Sequence, residues 1–108
     1  MIDLSIIIVS YNTKKLTLDT IKSVFKTAKD LKYELIVIDN DSKDGSVEAI
    51  KKLQNSKTPK LKSIFNKTNT GFAFANNQGI KIARGKYIFL LNSDTIVKKD
   101  ALQKLINF

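Results

Sequence analysis

Two short acidic segments, residues 39–41 and 92–94, carry side chains that could bind a metal ion or a nucleotide. The first reads Asp39-Asn40-Asp41 and the second Asn92-Ser93-Asp94. A carboxylate and an amide oxygen two residues apart can bind a hard divalent cation, which also binds diphosphate oxygens. Mg²⁺ commonly takes one or two protein carboxylates beside phosphate and water, so a single aspartate can suffice.

The composition narrows the choice of metal. The chain contains no cysteine and no histidine, which excludes disulfides, thiol catalysis and thiolate metal sites. Any metal must be held by oxygen ligands. This favours Mg²⁺ or Mn²⁺ over Zn²⁺.

The charged residues are unevenly placed. A formal net charge of +9 comes largely from lysines spread along the whole chain, a pattern typical of a solvated surface but also compatible with a nucleic-acid or anionic-membrane partner. The acids cluster more: Asp39, Asp41, Asp44 and Asp94 follow apolar runs. In a basic protein, acids gathered at strand ends indicate a site.

Four apolar runs predict strands, and helical spacing after each one predicts a helix. The strands are expected at 4–10, 34–38, 61–65 and 87–91, and the helices at 18–28, 47–53, 72–83 and 100–108. The alternation implies βαβ units and a parallel sheet in one α/β domain. The weaker run at 61–65 is expected near a sheet edge.

The carboxyl ends of parallel strands share one edge, where ligands of open α/β sheets bind. The edge segments are residues 10–12, 39–41, 66–67 and 92–94. Asp39 and Asp94 are therefore expected to line one crevice. The Gly-rich dinucleotide and P-loop motifs are both absent from the sequence.

Four stretches in order carry a resemblance to a known family. They are SIIIVSYN at 5–12, ELIVIDNDSKDGS at 34–46, NKTNTGFAFANNQGI at 66–80 and GKYIFLLNSDT at 85–95. Together they resemble the N-terminal nucleotide-binding half of family-2 glycosyltransferases, rhamnosyltransferase-like group. The resemblance implies a Rossmann-like three-layer sandwich with a mainly parallel four-stranded sheet, order 3-2-1-4, as a truncated GT-A fold over residues 1–108.

The resemblance also implies an activity: inverting transfer of a sugar from a UDP- or dTDP-sugar to a saccharide, lipid-linked or protein acceptor in cell-wall or polysaccharide biosynthesis. It implies a cytoplasmic protein, with peripheral contact at the cytoplasmic membrane face left open, and no nucleic-acid partner. The family's catalytic base lies well downstream of Asp94, so it is expected beyond residue 108. The isolated chain is then expected to bind donor without transferring sugar, and copies could pair through the open edge of the fourth strand.

The family's site residues can be carried over by position. Ser10 and Tyr11 match positions that pack on the base, and Asp39 matches the acid that accepts the imide N–H of uracil or thymine. Asp94 matches the metal ligand at the diphosphate, and Asn92 stands where many members have aspartate. The remaining expected nucleotide contacts are Asn12, Asp41, Asn66 and Ser93.

Several of these residues also have purely structural interpretations. Asp39 could stabilise a turn through its side chain, and Asp41 could form an Asx-turn. Tyr11 could be a packing residue. Asp44 is expected to be the N-cap of the helix that follows it.

Three residues near the third helix have expected structural roles. Gly71 is expected to supply a positive φ, and Gly79 to permit close packing on the sheet. Asn77 is expected to be a buried hydrogen-bonding strut.

Two other classes of protein share some of these features. A non-catalytic basic module binding nucleotides or nucleic acid fits the charge, but the sequence lacks an RNA-binding aromatic pair, a recognition-helix pattern and a zinc motif. A phosphoacceptor receiver domain also clusters acids at strand ends. It needs an acidic pair after the first strand, where this chain has Ser10-Tyr11-Asn12.

Overall fold

The two longest β-branched runs form the centre of the sheet. The computed structural model describes residues 1–56, 60–98 and 100–107. In it β1 (Leu4–Ser10) and β2 (Tyr33–Asp39) pair in parallel. Every residue of β2 is buried, as expected for a strand covered on both faces.

The shorter strands lie at the two edges. β3 (Leu61–Phe65) pairs with β2, and β4 (Tyr87–Leu91) pairs with β1, both in parallel. The sheet order is therefore β3-β2-β1-β4. This confirms the predicted order 3-2-1-4 and the edge position of the third strand.

Helices cover both faces of the sheet. One face packs against α1 (Lys14–Thr27), α2 (Ser46–Asn55) and α4 (Ala101–Asn107), and the other against α3 (Phe72–Ile82). Alternate strand residues serve the two cores. The three-layer sandwich is confirmed. The last helix begins at Ala101, one residue after its predicted start, and Phe108, its predicted end, lies outside the described residues.

Gly79 lets α3 approach the sheet closely. A Cβ built on it would lie 2.7 Å from Ile7 Cγ2 and 2.9 Å from Ile38 Cδ1. Both isoleucines are completely buried, so they have little room to move. The predicted packing role of Gly79 is confirmed.

We expect Gly79→Ala to destabilise the chain by about 1–2 kcal/mol. Overpacking costs roughly 1–3 kcal/mol, while the better helix propensity of alanine returns up to about 1 kcal/mol. Urea unfolding measures the difference. Asn77→Ala, on the exposed side of the same helix, is the control and should not lower stability. Equal stabilities of Gly79→Ala and the wild type would contradict the close packing.

A buried carboxylate ties together the amino ends of the strands. Glu34 is 2% exposed, and its Oε2 accepts hydrogen bonds from Ser5 Oγ and from Arg84 N, each at 2.6 Å. Its Oε1 pairs with Lys62 Nζ at 2.8 Å. Ser5 Oγ in turn accepts a hydrogen bond from Gly85 N at 2.7 Å. Residues from β1, β2, β3 and the turn before β4 thus meet at one acid.

The donors around Glu34 favour its charged form. Burial raises its pKa, but the hydrogen bonds from Lys62, Ser5 and Arg84 N, with the positive charge of Lys62, outweigh burial and hold the pKa below its ordinary value. Glu34 lies near the amino ends of the strands, at the opposite end of the sheet from their carboxyl ends. It is a structural group in this fold.

None of the helices in the described part of the chain has the length and apolar content that a bilayer crossing requires.

Candidate functional site

The carboxyl ends of all four strands lie along one rim of the sheet, because every strand pair is parallel. In sheet order, the rim carries the segments that follow β3, β2, β1 and β4. Neighbouring strands are about 4.8 Å apart, so β2 and β4, on either side of β1, are about 10 Å apart. The rim therefore carries both Asp39 and Asp94, two strands apart.

Asp39 is held by a single neighbouring residue. Its side chain is completely buried, and its Oδ2 accepts a hydrogen bond from Ser42 N at 2.8 Å. Its Oδ1 accepts another from the Ser42 hydroxyl at 2.7 Å. Asp39 thus has the structural role in a turn that the sequence analysis gave as the alternative. Each carboxylate oxygen has a second lone pair, so a ligand contact remains chemically open.

Asn12 joins the loops after β1 and β2 by hydrogen bonds. Asn12 N donates a hydrogen bond to Ser42 Oγ at 2.8 Å, and Asn12 Oδ1 accepts one from Lys43 N at 2.8 Å. Asn12 has a φ of 52°, a left-handed conformation that asparagine adopts more readily than most residues. Asp39, Ser42, Asn12 and Lys43 thus form one hydrogen-bond network across the two loops.

Asp44 reinforces the junction, but in a different position from the one expected. The N-cap residue of α2 is Gly45, with a φ of 89° and no side-chain cap, so the expected N-cap role of Asp44 is wrong. Asp44 Oδ1 accepts from the Ser46 backbone and hydroxyl, and Oδ2 accepts from Lys14 N at 3.0 Å. The hydrogen bond from the Ser46 hydroxyl, with those from Lys14 N and Ser46 N, lowers the pKa of Asp44 against the opposing effect of burial.

The three other predicted residues near the base position differ in exposure. Ser10 is completely buried, and its Oγ accepts a hydrogen bond from Thr17 Oγ1 at 3.1 Å. Tyr11 is 48% exposed, so its ring is available to stack on a planar ligand. Asp41 has a φ of 67° and pairs with Lys43 Nζ at 2.9 Å.

Asn66 belongs to an amide network after β3. It exchanges two hydrogen bonds with Gln78, at 2.8 and 2.9 Å, and donates a third to Asn40 Oδ1 at 2.9 Å. Asn40 Oδ1 also accepts from Thr70 Oγ1 at 2.8 Å, and Asn40 Nδ2 donates to Gly71 O at 3.2 Å. The Asn66 amide is therefore largely committed to protein partners. Its network fixes the loop that forms one end of the rim.

The buried strut predicted at Asn77 is wrong, because Asn77 is exposed. Asn76 is the buried asparagine of α3, and the hydrogen-bonding strut is Gln78, which reaches Asn66. The expected positive φ at Gly71 is confirmed, at 85°.

The segment after β4 presents a carboxylate to solvent. Asn92 and Asp94 are exposed, while the backbone carbonyl of Ser93 accepts a hydrogen bond from Thr20 Oγ1 at 2.9 Å. Among residues 1–56, 60–98 and 100–107, none makes a hydrogen bond or ion pair with the Asp94 side chain. The backbone is thus tied to α1, and the carboxylate is left available.

The oxygen atoms of Asn92 and Asp94 could hold a divalent cation only if a phosphate-bearing ligand supplied further oxygen atoms. The described residues contain no cluster of three His, Cys, Asp or Glu side chains that could hold a metal ion. Asp94 offers one carboxylate and Asn92 one amide oxygen, the number that Mg²⁺ uses when phosphates and water complete its shell. Metal binding at this site should therefore depend on a diphosphate.

Lysines surround the acids of the rim. Lys14, at the start of α1, Lys43, in the loop after β2, and Lys67, after β3, are all exposed. Positive charge along the rim attracts anionic ligands.

Sequence reasoning missed Ser42 and Gln78. The spacing Asp-x-x-Ser was a usable signal for Ser42, because aspartate side chains often accept hydrogen bonds from residues just ahead in a turn. Gln78 had no comparable signal, since its partner lies twelve residues away and only the packing of α3 sets its direction.

The comparisons with known proteins agree on one family. The model of the family described as Glycosyl transferase family 2 matches residues 5–108. The poly(ribitol-phosphate) beta-N-acetylglucosaminyltransferase TarP of Staphylococcus aureus is 34% identical over 96% of this chain. The S. aureus TarS 1-349 structure in complex with UDP-GlcNAc is 26% identical over 98% of the chain, with a TM-score of 0.85.

A more distant structure shares the fold. The mannosyltransferase PcManGT of Pyrobaculum calidifontis, in complex with GDP-Man and Mn²⁺, has a TM-score of 0.82 at 23% identity over 92% of the chain. The chain spans about a third of the length of the relatives that it matches: 32% of TarP and 30% of each of the two solved chains.

Proposed function

Because this chain belongs to glycosyl transferase family 2, we propose that it supplies the donor-binding half of an inverting enzyme that uses a UDP- or dTDP-sugar. The observation that carries the proposal is the rim. It holds a buried carboxylate, bonded by Ser42, at the end of β2 and a solvent-facing carboxylate after β4. The two strands are about 10 Å apart, a separation that suits one group at the base and another at the diphosphate.

Asp39 is assigned to the base. A carboxylate accepts hydrogen bonds and donates none, so it favours a base with a ring N–H at that position. Uracil and thymine carry this imide N–H, whereas cytosine N3 carries no hydrogen. Asp39 is completely buried, so the residues that cover its free lone pairs must move aside for the base, while its two bonds to Ser42 stay in place. Tyr11, half exposed beside it, is assigned to stacking.

Asp94 and Asn92 are assigned to a Mg²⁺ or Mn²⁺ ion that binds with the diphosphate. Such an ion neutralises the charge that builds up on the leaving diphosphate. The chain's own contribution is to hold two oxygen donors on a segment anchored to α1 through Thr20. The ion in the PcManGT structure is consistent with this assignment.

We assign the acceptor to the class of anionic polymers. TarP is named for action on poly(ribitol-phosphate), and a net charge of +9 would draw a polyphosphate chain toward the protein. The proton of the attacking hydroxyl is assigned to a base outside residues 1–108. Asp100, the only acid after Asp94, lies directly before α4, where its backbone carbonyl accepts a hydrogen bond from Lys104 N.

Calorimetric titration with UDP, CDP and GDP tests the base assignment. We expect the wild type to prefer UDP, and Asp39→Asn to reduce the UDP-over-CDP preference at least about tenfold, because the amide offers a donor where the imide needs an acceptor. Asp30→Asn, the same change in an exposed turn, is the matched control. Absence of UDP binding by the wild type, or an unchanged preference in Asp39→Asn, would remove the proposed function.

A further inference from the structure

Ser42 joins the two strand ends that would face the base, and sequence reasoning gave it no role. Resting on the proposed function, we propose that Ser42 is a positioning residue that sets the base preference of the site. It acts by orienting the Asp39 carboxylate and by fixing the loop that carries Tyr11.

The first step concerns the carboxylate. Ser42 binds both of its oxygens, one through the backbone N–H and one through the hydroxyl, at 2.8 and 2.7 Å. Two bonds from one residue fix the plane of the carboxylate. The second lone pair of each oxygen is then directed by Ser42, so the position at which a base N–H can be accepted is set before the base arrives.

The second step concerns the loop after β1. The Ser42 hydroxyl has one hydrogen, which it gives to Asp39, and its oxygen accepts from Asn12 N at 2.8 Å. No donor remains for a nucleotide, so Ser42 acts through its neighbours. Because Asn12 directly follows Tyr11, one hydroxyl relates the ring to the carboxylate.

The third step concerns rigidity. Ser42 is only 8% exposed, and two further bonds join the same loops, from Lys43 N to Asn12 Oδ1 and from Lys14 N to Asp44 Oδ2. The loops therefore stay together when the hydroxyl is removed. What a variant loses is the orientation of Asp39 and Tyr11, and not the junction itself.

The test compares UDP and CDP affinities of Ser42→Ala and Ser42→Thr by calorimetry. We expect Ser42→Ala to reduce the UDP-over-CDP preference roughly tenfold, the scale of a hydrogen bond to a charged group. Ser42→Thr, which retains the hydroxyl, should recover most of it. In an Asp39→Asn background, Ser42→Ala should change the preference no further, because the two residues act as one unit. Ser63→Ala, which removes a hydrogen-bonded hydroxyl from β3, is the control.

Each outcome decides the proposal. If Ser42→Ala does not fold, Ser42→Cys, a weak donor of similar shape, takes its place. If Asp39→Asn loses the UDP-over-CDP preference while Ser42→Ala, or Ser42→Cys in its place, keeps it or binds UDP more tightly, the role of Ser42 is overturned. The proposed function then still stands. Loss of overall affinity with an unchanged UDP-to-CDP ratio would mean that Ser42 is structural only. Unchanged preference in Asp39→Asn as well would overturn the proposed function itself.

Discussion

Asp94→Ala should abolish the Mn²⁺-dependent part of UDP binding by this chain. Asp94 provides the one carboxylate of the proposed metal site, and the described residues form no acidic cluster that could replace it. We expect the UDP affinity measured with Mn²⁺ to fall at least about tenfold, or about 1.4 kcal/mol, to the value measured without metal. Titration calorimetry with and without Mn²⁺ gives both numbers.

Asp19→Ala is the matched control for Asp94→Ala. It removes the same charge from α1, where Asp19 forms an exposed ion pair with Lys15, and its metal response should equal that of the wild type. An undiminished Mn²⁺ effect in Asp94→Ala would contradict the metal assignment, while leaving the base assignment to its own test.

Glu34→Ala should destabilise the fold more than any other single acid replacement. The lost partner Lys62 is 41% exposed, so water can solvate it once the acid is gone. The larger loss is the acceptor of the buried Ser5 hydroxyl and of the partly buried Arg84 N–H, and an unsatisfied buried donor costs roughly 1–3 kcal/mol. Urea unfolding measures the loss. Glu48→Ala, an exposed acid in the first turn of α2, is the control and should stay within about 1 kcal/mol of the wild type.

The stabilisation by Glu34 should depend on pH in one direction. Its pKa is lower in the folded chain than its ordinary value of 4.5, so its contribution is complete above that value. It is lost as the pH falls through the folded pKa. The stability difference between the wild type and Glu34→Gln should therefore shrink below about pH 4.5. A difference that grows on acidification would contradict this.

The sheet was predictable because its information is local. Apolar runs separated by helical spacing predicted all four strands within one residue at each end, and the weaker run at 61–65 identified an edge. The parallel pairing followed from the alternation of strands and helices. The position of the rim then followed from topology alone, without knowledge of any side chain.

Side-chain direction was not predictable in the same way. Asn76, Asn77 and Gln78 are consecutive polar residues of α3, and only the rotation of the helix on the sheet decides which is buried, exposed or bonded to Asn66. Glu34 looked like an ordinary first strand residue. Its role depends on the register that sets it opposite Ser5 and on a backbone N–H fifty residues away.

The site was predictable in its residue types but not in its internal bonds. Asp39 and Asp94 could be located by resemblance and by their positions after strands. For the Ser42 contacts of Asp39 the only signal was the Asp-x-x-Ser spacing, and the contacts also depend on the left-handed conformation of Asp41, which brings residue 42 back over the carboxylate.

If the proposed function is right, a nucleoside diphosphate binds at the rim of the sheet. This binding is tested most directly by titrating UDP and Mn²⁺ into the isotope-labelled chain and following the NMR signals of the backbone amides. We predict that the shifts concentrate at residues 10–12, 39–43 and 92–94. Shifts confined to the opposite edge, at residues 32–34, 60–62 and 84–86, would contradict it.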